Sequence, residues 1–176
     1  MPPLHKSLPI AVQKLPLFAA RTTIIVYHLA LGRNNGLWIA THNGLNHFNR
    51  KTKGNTPFVH DPKNPVSISA NTVLKVVEDS QGVVWAAPEN GGLNVYDSER
   101  GGFIHFKQNA AIRTSLVSDS VRSIMEDASG DLWIGMYPAG LNYFDRNTAS
   151  IRQIKHNPLD KNSLHFKPVA AVQEAD

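Results

Sequence analysis

Gly130-Asp131-Leu132-Trp133-Ile134-Gly135-Met136-Tyr137-Pro138-Ala139-Gly140-Leu141-Asn142-Tyr143-Phe144-Asp145 is the last of three copies of one pattern. The middle copy runs Gly82-Val83-Val84-Trp85-Ala86-Ala87-Pro88-Glu89-Asn90-Gly91-Gly92-Leu93-Asn94-Val95-Tyr96-Asp97. The first runs Gly36-Leu37-Trp38-Ile39-Ala40-Thr41-His42-Asn43-Gly44-Leu45-Asn46-His47-Phe48-Asn49. The Gly-Leu-Asn triplets start at Gly44, Gly92 and Gly140, so both steps are 48 residues. Trp38, Trp85 and Trp133 keep the same register, the first copy being one residue shorter before its triplet. A fixed period of this size marks a repeat architecture and outranks any local assignment of secondary structure.

Each repeat reads as four short strands. Val26, Val73 and Val121 stand 12 residues before their tryptophans and open β-branched runs, Val26–Ala30, Val73–Val77 and Val121–Met125. Tight turns follow at Glu78–Gly82 and Glu126–Gly130, where Asp79 and Asp127 can accept backbone N–H groups and Gly takes the conformation a short hairpin requires. The same acidic pair at the same turn reads as structural rather than as a metal or acid/base site. The first repeat has Leu31-Gly32 there, which predicts a distorted opening strand. The tryptophan strands are continuous apolar runs, as expected when both faces are covered, and a small residue two places on (Ala40, Ala87, Gly135) admits a neighbouring sheet. The Gly-Leu-Asn strand ends on Phe48, Tyr96 or Phe144. The fourth strands are expected at Thr56–His60, Gly102–Lys107 and Ser150–Lys155.

Four short strands per unit describe a propeller blade, stable only when stacked on its neighbours. The expected fold is therefore all-β: a partial β-propeller of three four-stranded blades, at about 22–68, 69–116 and 117–164. The first strand of a fourth is expected at 167–174. Residues 1–21 read as an unstructured leader, because Pro9, Gln13, Lys14 and Pro16 break any signal-like apolar run. Sustained 3.6-residue periodicity is missing, which excludes a helical solenoid.

The pattern Val-x-x-(Ile/Val)-x-Glu-Asp-x-x-Gly-x-(Leu/Val)-Trp-x-(Gly/Ala), then Gly-Leu-Asn-x-(Phe/Tyr)-Asp, resembles the two-component regulator propeller repeat. The linkers Asp61-Pro62-Lys63-Asn64-Pro65-Val66-Ser67-Ile68 and, more loosely, Asn157–Leu164 resemble it too. The resemblance covers about residues 22–176. It departs from the usual Trp-Ile-Gly-Thr at Trp-Ile-Ala-Thr, Trp-Ala-Ala-Pro and Trp-Ile-Gly-Met. It implies a sensor region in the periplasm, joined through a membrane helix to a histidine kinase or another output domain, and responding to polysaccharide fragments. It also implies more blades than three, so the chain is expected to be the front piece of a sensor or the product of a truncated gene. Standing alone, without a clear signal peptide, it would be cytoplasmic.

Composition narrows the rest. With 41% hydrophobic and 18% charged residues the chain is globular, and no cysteine is available for a disulfide or a thiolate metal site. The net charge of +4 is mild and scattered, which argues against a nucleic-acid partner. No segment has the roughly 18 apolar residues needed to span a bilayer, so a membrane is expected only through a parent protein. The eight histidines are dispersed. Only His60 and His156 share a repeat position, with Gln108 between them, and no Ser-His-Asp set or metal-ligand spacing is seen. No catalytic residue, metal or cofactor is therefore expected.

Two kinds of partner are expected: a glycan or other small ligand, and either the remaining blades or a second copy of the chain. Ligand contact is expected on the rim formed by the second-to-third strand turns, Thr41–Asn43, Pro88–Gly91 and Met136–Ala139, and the blade linkers. There His42, Asn43, Glu89, Asn90 and Tyr137 offer hydrogen bonds and ring stacking while the strands around them hold to a pattern. A protein-docking scaffold is the alternative function, and a propeller lyase or hydrolase a further one.

Overall fold

The computed structural model describes residues 24–138, 140–164, 168, 169 and 171–173. The expected leader lies outside them. The described residues form twelve strands and no helix. The first sheet takes β1 (Val26–Leu31), β2 (Gly36–Thr41), β3 (Gly44–Asn49) and β4 (Asn55–Phe58). The second takes β5 (Val73–Glu78), β6 (Val84–Pro88), β7 (Leu93–Asp97) and β8 (Gly102–Phe106). The third takes β9 (Ser120–Glu126), β10 (Leu132–Tyr137), β11 (Leu141–Asp145) and β12 (Ser150–Ile154). Each is an antiparallel meander in chain order, and β5 packs against both β1 and β9. The fold is a partial β-propeller.

The repeated residues make the joints between blades. Tyr96 on β7 packs its ring 6.1 Å from that of Trp38 in the preceding blade, and Phe144 on β11 lies 5.3 Å from Trp85. Such aromatic pairs contribute about 0.5–1.5 kcal/mol beyond the area they bury. Ala40 and Ala86 share one core with Val73 and Val76, and Ala87 shares the next with Val121 and Ile124. At Gly135 a Cβ would sit 2.5 Å from the Val169 carbonyl, and Val169 N–H donates to Met136 O at 3.1 Å. Val169 falls within 167–174, so the segment expected to open a fourth blade meets β10 at this residue, while none of its described residues is in a strand.

The Asn of each triplet is buried, and two of the three hold a linker. Ser69 N–H donates to Asn94 Oδ1 at 2.8 Å and Val117 N–H to Asn142 Oδ1 at 3.0 Å. Asn46 Oδ1 instead accepts from Asn55 Nδ2.

Three local expectations change. β1 is no more distorted than its counterparts: each opening strand carries one extra residue at the same place, opposite Ala40–Thr41, Ala87–Pro88 and Gly135–Met136. The first fourth strand is Asn55–Phe58 rather than Thr56–His60, because His60 Nδ1 turns to the Ile68 carbonyl at 2.8 Å and closes the linker instead. Trp133 is only partly buried, whereas Trp38 and Trp85 are each 4% exposed. Its ring meets Tyr143 of its own blade at 4.8 Å, and no aromatic of a following blade packs on it among the described residues.

Candidate functional site

The turns between second and third strands lie beside the blade linkers, forming one rim. Gly44 N–H donates to Asn71 O at 2.6 Å and Gly92 N–H to Asp119 O at 2.8 Å. All three linkers close in the same way, a serine hydroxyl returning to the carbonyl six residues earlier: Ser67 to Asp61, Ser115 to Asn109, Ser163 to Asn157. His156, like His60, spends Nδ1 on a linker carbonyl, that of Leu164 at 2.7 Å.

Of the five expected contact residues, the structure gathers two. His42 and Asn43 form the two-residue turn of the first blade and line a cavity of about 370 Å³ with Asn46, Asn55 and Val59. His42 is anchored by Ile25, whose N–H donates to Nδ1 at 3.1 Å, leaving Nε2 to carry the proton. Glu89 and Asn90 stand exposed on the second turn, and Tyr137 is half exposed on the third. The Arg122 guanidinium lies 5.4 Å from the Tyr137 ring centroid and occupies one of its faces. None of these three lines the cavity at His42.

The acidic turns form the opposite rim. Asp79 Oδ1 accepts the N–H groups of Gln81 (2.9 Å) and Val83 (2.8 Å), while Oδ2 accepts Trp85 Nε1 at 2.7 Å. Asp127 repeats this with Ser129, Asp131 and Trp133 Nε1. Where the first blade has Gly32, the carboxylate comes from the next blade: Glu78 Oε2 accepts Trp38 Nε1 at 2.6 Å and Oε1 accepts Arg33 N–H at 2.9 Å. Glu126 reaches back in the same way to Ser80 N–H and its hydroxyl. The Arg146 Nη2 donates to Asp79 Oδ2 at 2.9 Å and lies 3.5 Å from Glu126 Oε1. Burial alone would raise the Asp79 pKa. Hydrogen bonds from Trp85, Arg146 and Val83 together with the Arg146 charge outweigh it and hold the carboxyl below its usual range. These carboxylates are fully engaged in holding turns and blades together.

Two features were not readable from spacing. On the inner strands Lys75 Nζ lies 2.8 Å from His28 Nε2, a pair brought together only by stacking β5 on β1. Burial and then the Lys75 charge lower the His28 pKa, and burial lowers that of Lys75. The other is a cavity of about 680 Å³ between the second linker and β12. Among the described residues no group of three or more His, Asp and Glu could hold a metal ion.

Residues 115–137 match the model of the family described as two component regulator propeller. Over those residues the chain is similar to that repeat. The matched segment runs from Ser115 at the end of the second linker through β9 and the Trp133 strand. Among solved structures, the repeats superpose on the extracellular domain of a hybrid two component system from B. thetaiotaomicron. That match has 25% identity and a TM-score of 0.73, covering 88% of this chain and 21% of the other. A second such domain from the same organism gives 21% identity and 0.64, covering 82% and 18%. The chain thus spans about a fifth of the length of those domains. A catalytically inactive virginiamycin B lyase from Staphylococcus aureus shares the fold at 16% identity and TM-score 0.57, covering 80% of this chain and 44% of the lyase. No curated protein matches the chain.

Proposed function

We propose that this chain is a ligand-recognising part of a sensor propeller serving two-component signalling, placed outside the cytoplasm, with a glycan as its ligand. The observation that supports it most is the superposition of 88% of the chain on the extracellular domain of a hybrid two component system, at 25% identity. The build of the rim supports it further. The strand pairings and the serine closures of the linkers repeat from blade to blade, while the turns carrying His42, Asn43, Glu89, Asn90 and Tyr137 differ. A rigid repeated frame with variable turns is how specificity is set on such scaffolds. The lyase shares only the fold at 16% identity, so it lends no support to a catalytic role.

The test joins the chain to the parent protein that it serves and follows ligand-dependent output. Replacing the five rim residues with Ala or Ser is expected to abolish the response while the folded content, read by circular dichroism, stays intact. An intact response, with loss instead on changing Ser80–Gln81 and Ala128–Ser129 of the opposite rim, would overturn the assignment. A glycan array on the isolated chain set against capture of a protein partner separates ligand sensing from docking.

A further inference from the structure

The first two linkers have the same length and closure but lie differently on the outer strand of the blade that they lead into. The first is zipped to β8. Phe103 N–H donates to Val66 O at 2.7 Å, and His105 Nε2 meets Ser67 O at 2.8 Å. That contact needs Gly102, where an added Cβ would lie 2.7 Å from both the Val66 Cβ and the Val66 carbonyl. The second linker keeps only the far anchor, Gln153 Nε2 donating to Ser115 O at 2.8 Å. Ser150 stands at the Gly102 position and Thr114 at that of Val66. A side chain at this position does not fit the close approach seen at Gly102, and no hydrogen bond joins Ile151 to Thr114 among the described residues. The linker therefore bows away from β12. It leaves about 680 Å³, against about 280 Å³ at the first linker.

The chemistry of the opened space is one-sided. Leu116 and Ile151, both buried, give it an apolar floor. Arg113, Arg152 and Lys155 line it and no Asp or Glu does. Among the described residues none of the three cations has a carboxylate at ion-pair distance. The Arg152 guanidinium lies over the Tyr143 ring, 4.9 Å from the centroid and on the other face of β12 from Ile151, which leaves Arg113 and Lys155 to face the cavity. We propose that this cavity binds a small organic anion. Its carboxylate, sulfate or phosphate meets Arg113 and Lys155, and its apolar face rests on Ile151 and Leu116. The volume falls within the range of small-molecule sites, roughly 300–1,000 Å³, and guanidinium groups offer the paired donors that such anions accept. The site is separate from the five residues of the rim turns and stands whether or not those turns recognise a ligand.

The experiment is calorimetric titration of the 176-residue chain with sodium glucuronate, glucose 6-sulfate and glucose 6-phosphate, with glucose as the neutral control. At least one anion is expected to bind one to one, at least about tenfold more tightly than glucose, and more weakly as salt is raised. Which anion binds best identifies the head group. The double change Arg113→Ala with Lys155→Ala should weaken binding about tenfold or more, with circular dichroism unchanged. A second variant, Ser150→Gly with Thr114→Val, keeps every cation but restores the close contact seen at Gly102 and Val66, and should abolish binding. Absence of anion binding, equal binding of glucose, or undiminished affinity in either folded variant overturns the proposal.

Discussion

At the scale of single residues, one carboxylate shows how the turns are held. Asp79 is buried and satisfies two backbone N–H groups, an indole and a guanidinium at once. Removing it strands Arg146 and Trp85 Nε1, so Asp79→Ala should cost on the order of 3 kcal/mol. Its folded-state pKa lies below the unfolded value of 3.8, so the folded chain binds fewer protons. Its contribution is therefore complete at neutral pH and is lost as the pH falls through the depressed folded value. Urea unfolding of the parent chain should show a midpoint that drops below about pH 4, with Asp79→Asn lower at neutral pH and flatter in acid. An equal acid slope in Asp79→Asn would assign the loss to other carboxylates. The structural part of Asp79 was legible, since the same acid precedes Trp85 and Trp133 by six residues. The part of Glu78 was not. Nothing in its spacing says that it serves Trp38, 40 positions away, because that contact exists only once two blades are stacked.

At the scale of elements, the period and the tryptophan register located every strand to within a few residues, because strand length and turn chemistry are local properties. What remained hidden was set between elements: the common bulge of the opening strands, the lost burial of Trp133, and the lifted second linker. The five rim residues were legible as variable turn positions, but only His42 and Asn43 share a cavity. Glu89 and Asn90 lie on the second blade and Tyr137 on the third, and no local pattern encodes the spacing of blades around the arc. The triplet glycine is the element-level feature easiest to test. Gly92 has φ +73°, and a Cβ there would sit 2.2 Å from the Phe106 carbonyl oxygen, a backbone atom that cannot step aside without breaking the β7–β8 pairing. Gly92→Ala should destabilise by at least about 1–3 kcal/mol in chemical denaturation. Gly101 also has a positive φ, +65°, but nothing lies within 4 Å of its added Cβ, so Gly101→Ala should cost less. Equal losses would mean that backbone conformation alone, and not the close approach to β8, makes the triplet glycine necessary.

At the scale of the whole molecule, the arc has a face that no other described residue covers. Val76 on β5 and Ile124 on β9 are 0% and 4% exposed because each packs on the preceding blade. Leu29 holds the same position on β1 and is 40% exposed, with Ile25 at 51% and Leu31 at 71% beside it on the same strand and its approach. The replacement of the glutamate of the other blades by Leu31 makes this edge apolar where its counterparts carry a carboxylate. An apolar strand of this kind, left open in water, drives association. The isolated 176-residue chain is therefore expected to self-associate, its sedimentation coefficient rising with concentration across the micromolar range. Leu29→Lys with Leu31→Glu should return it to a monomer without loss of strand content, because neither side chain lies in the described cores of the three blades. A parent chain that sediments as a single monomer throughout that range would show that the β1 face is satisfied within one molecule. Unchanged association in the double variant would move the contact to another surface.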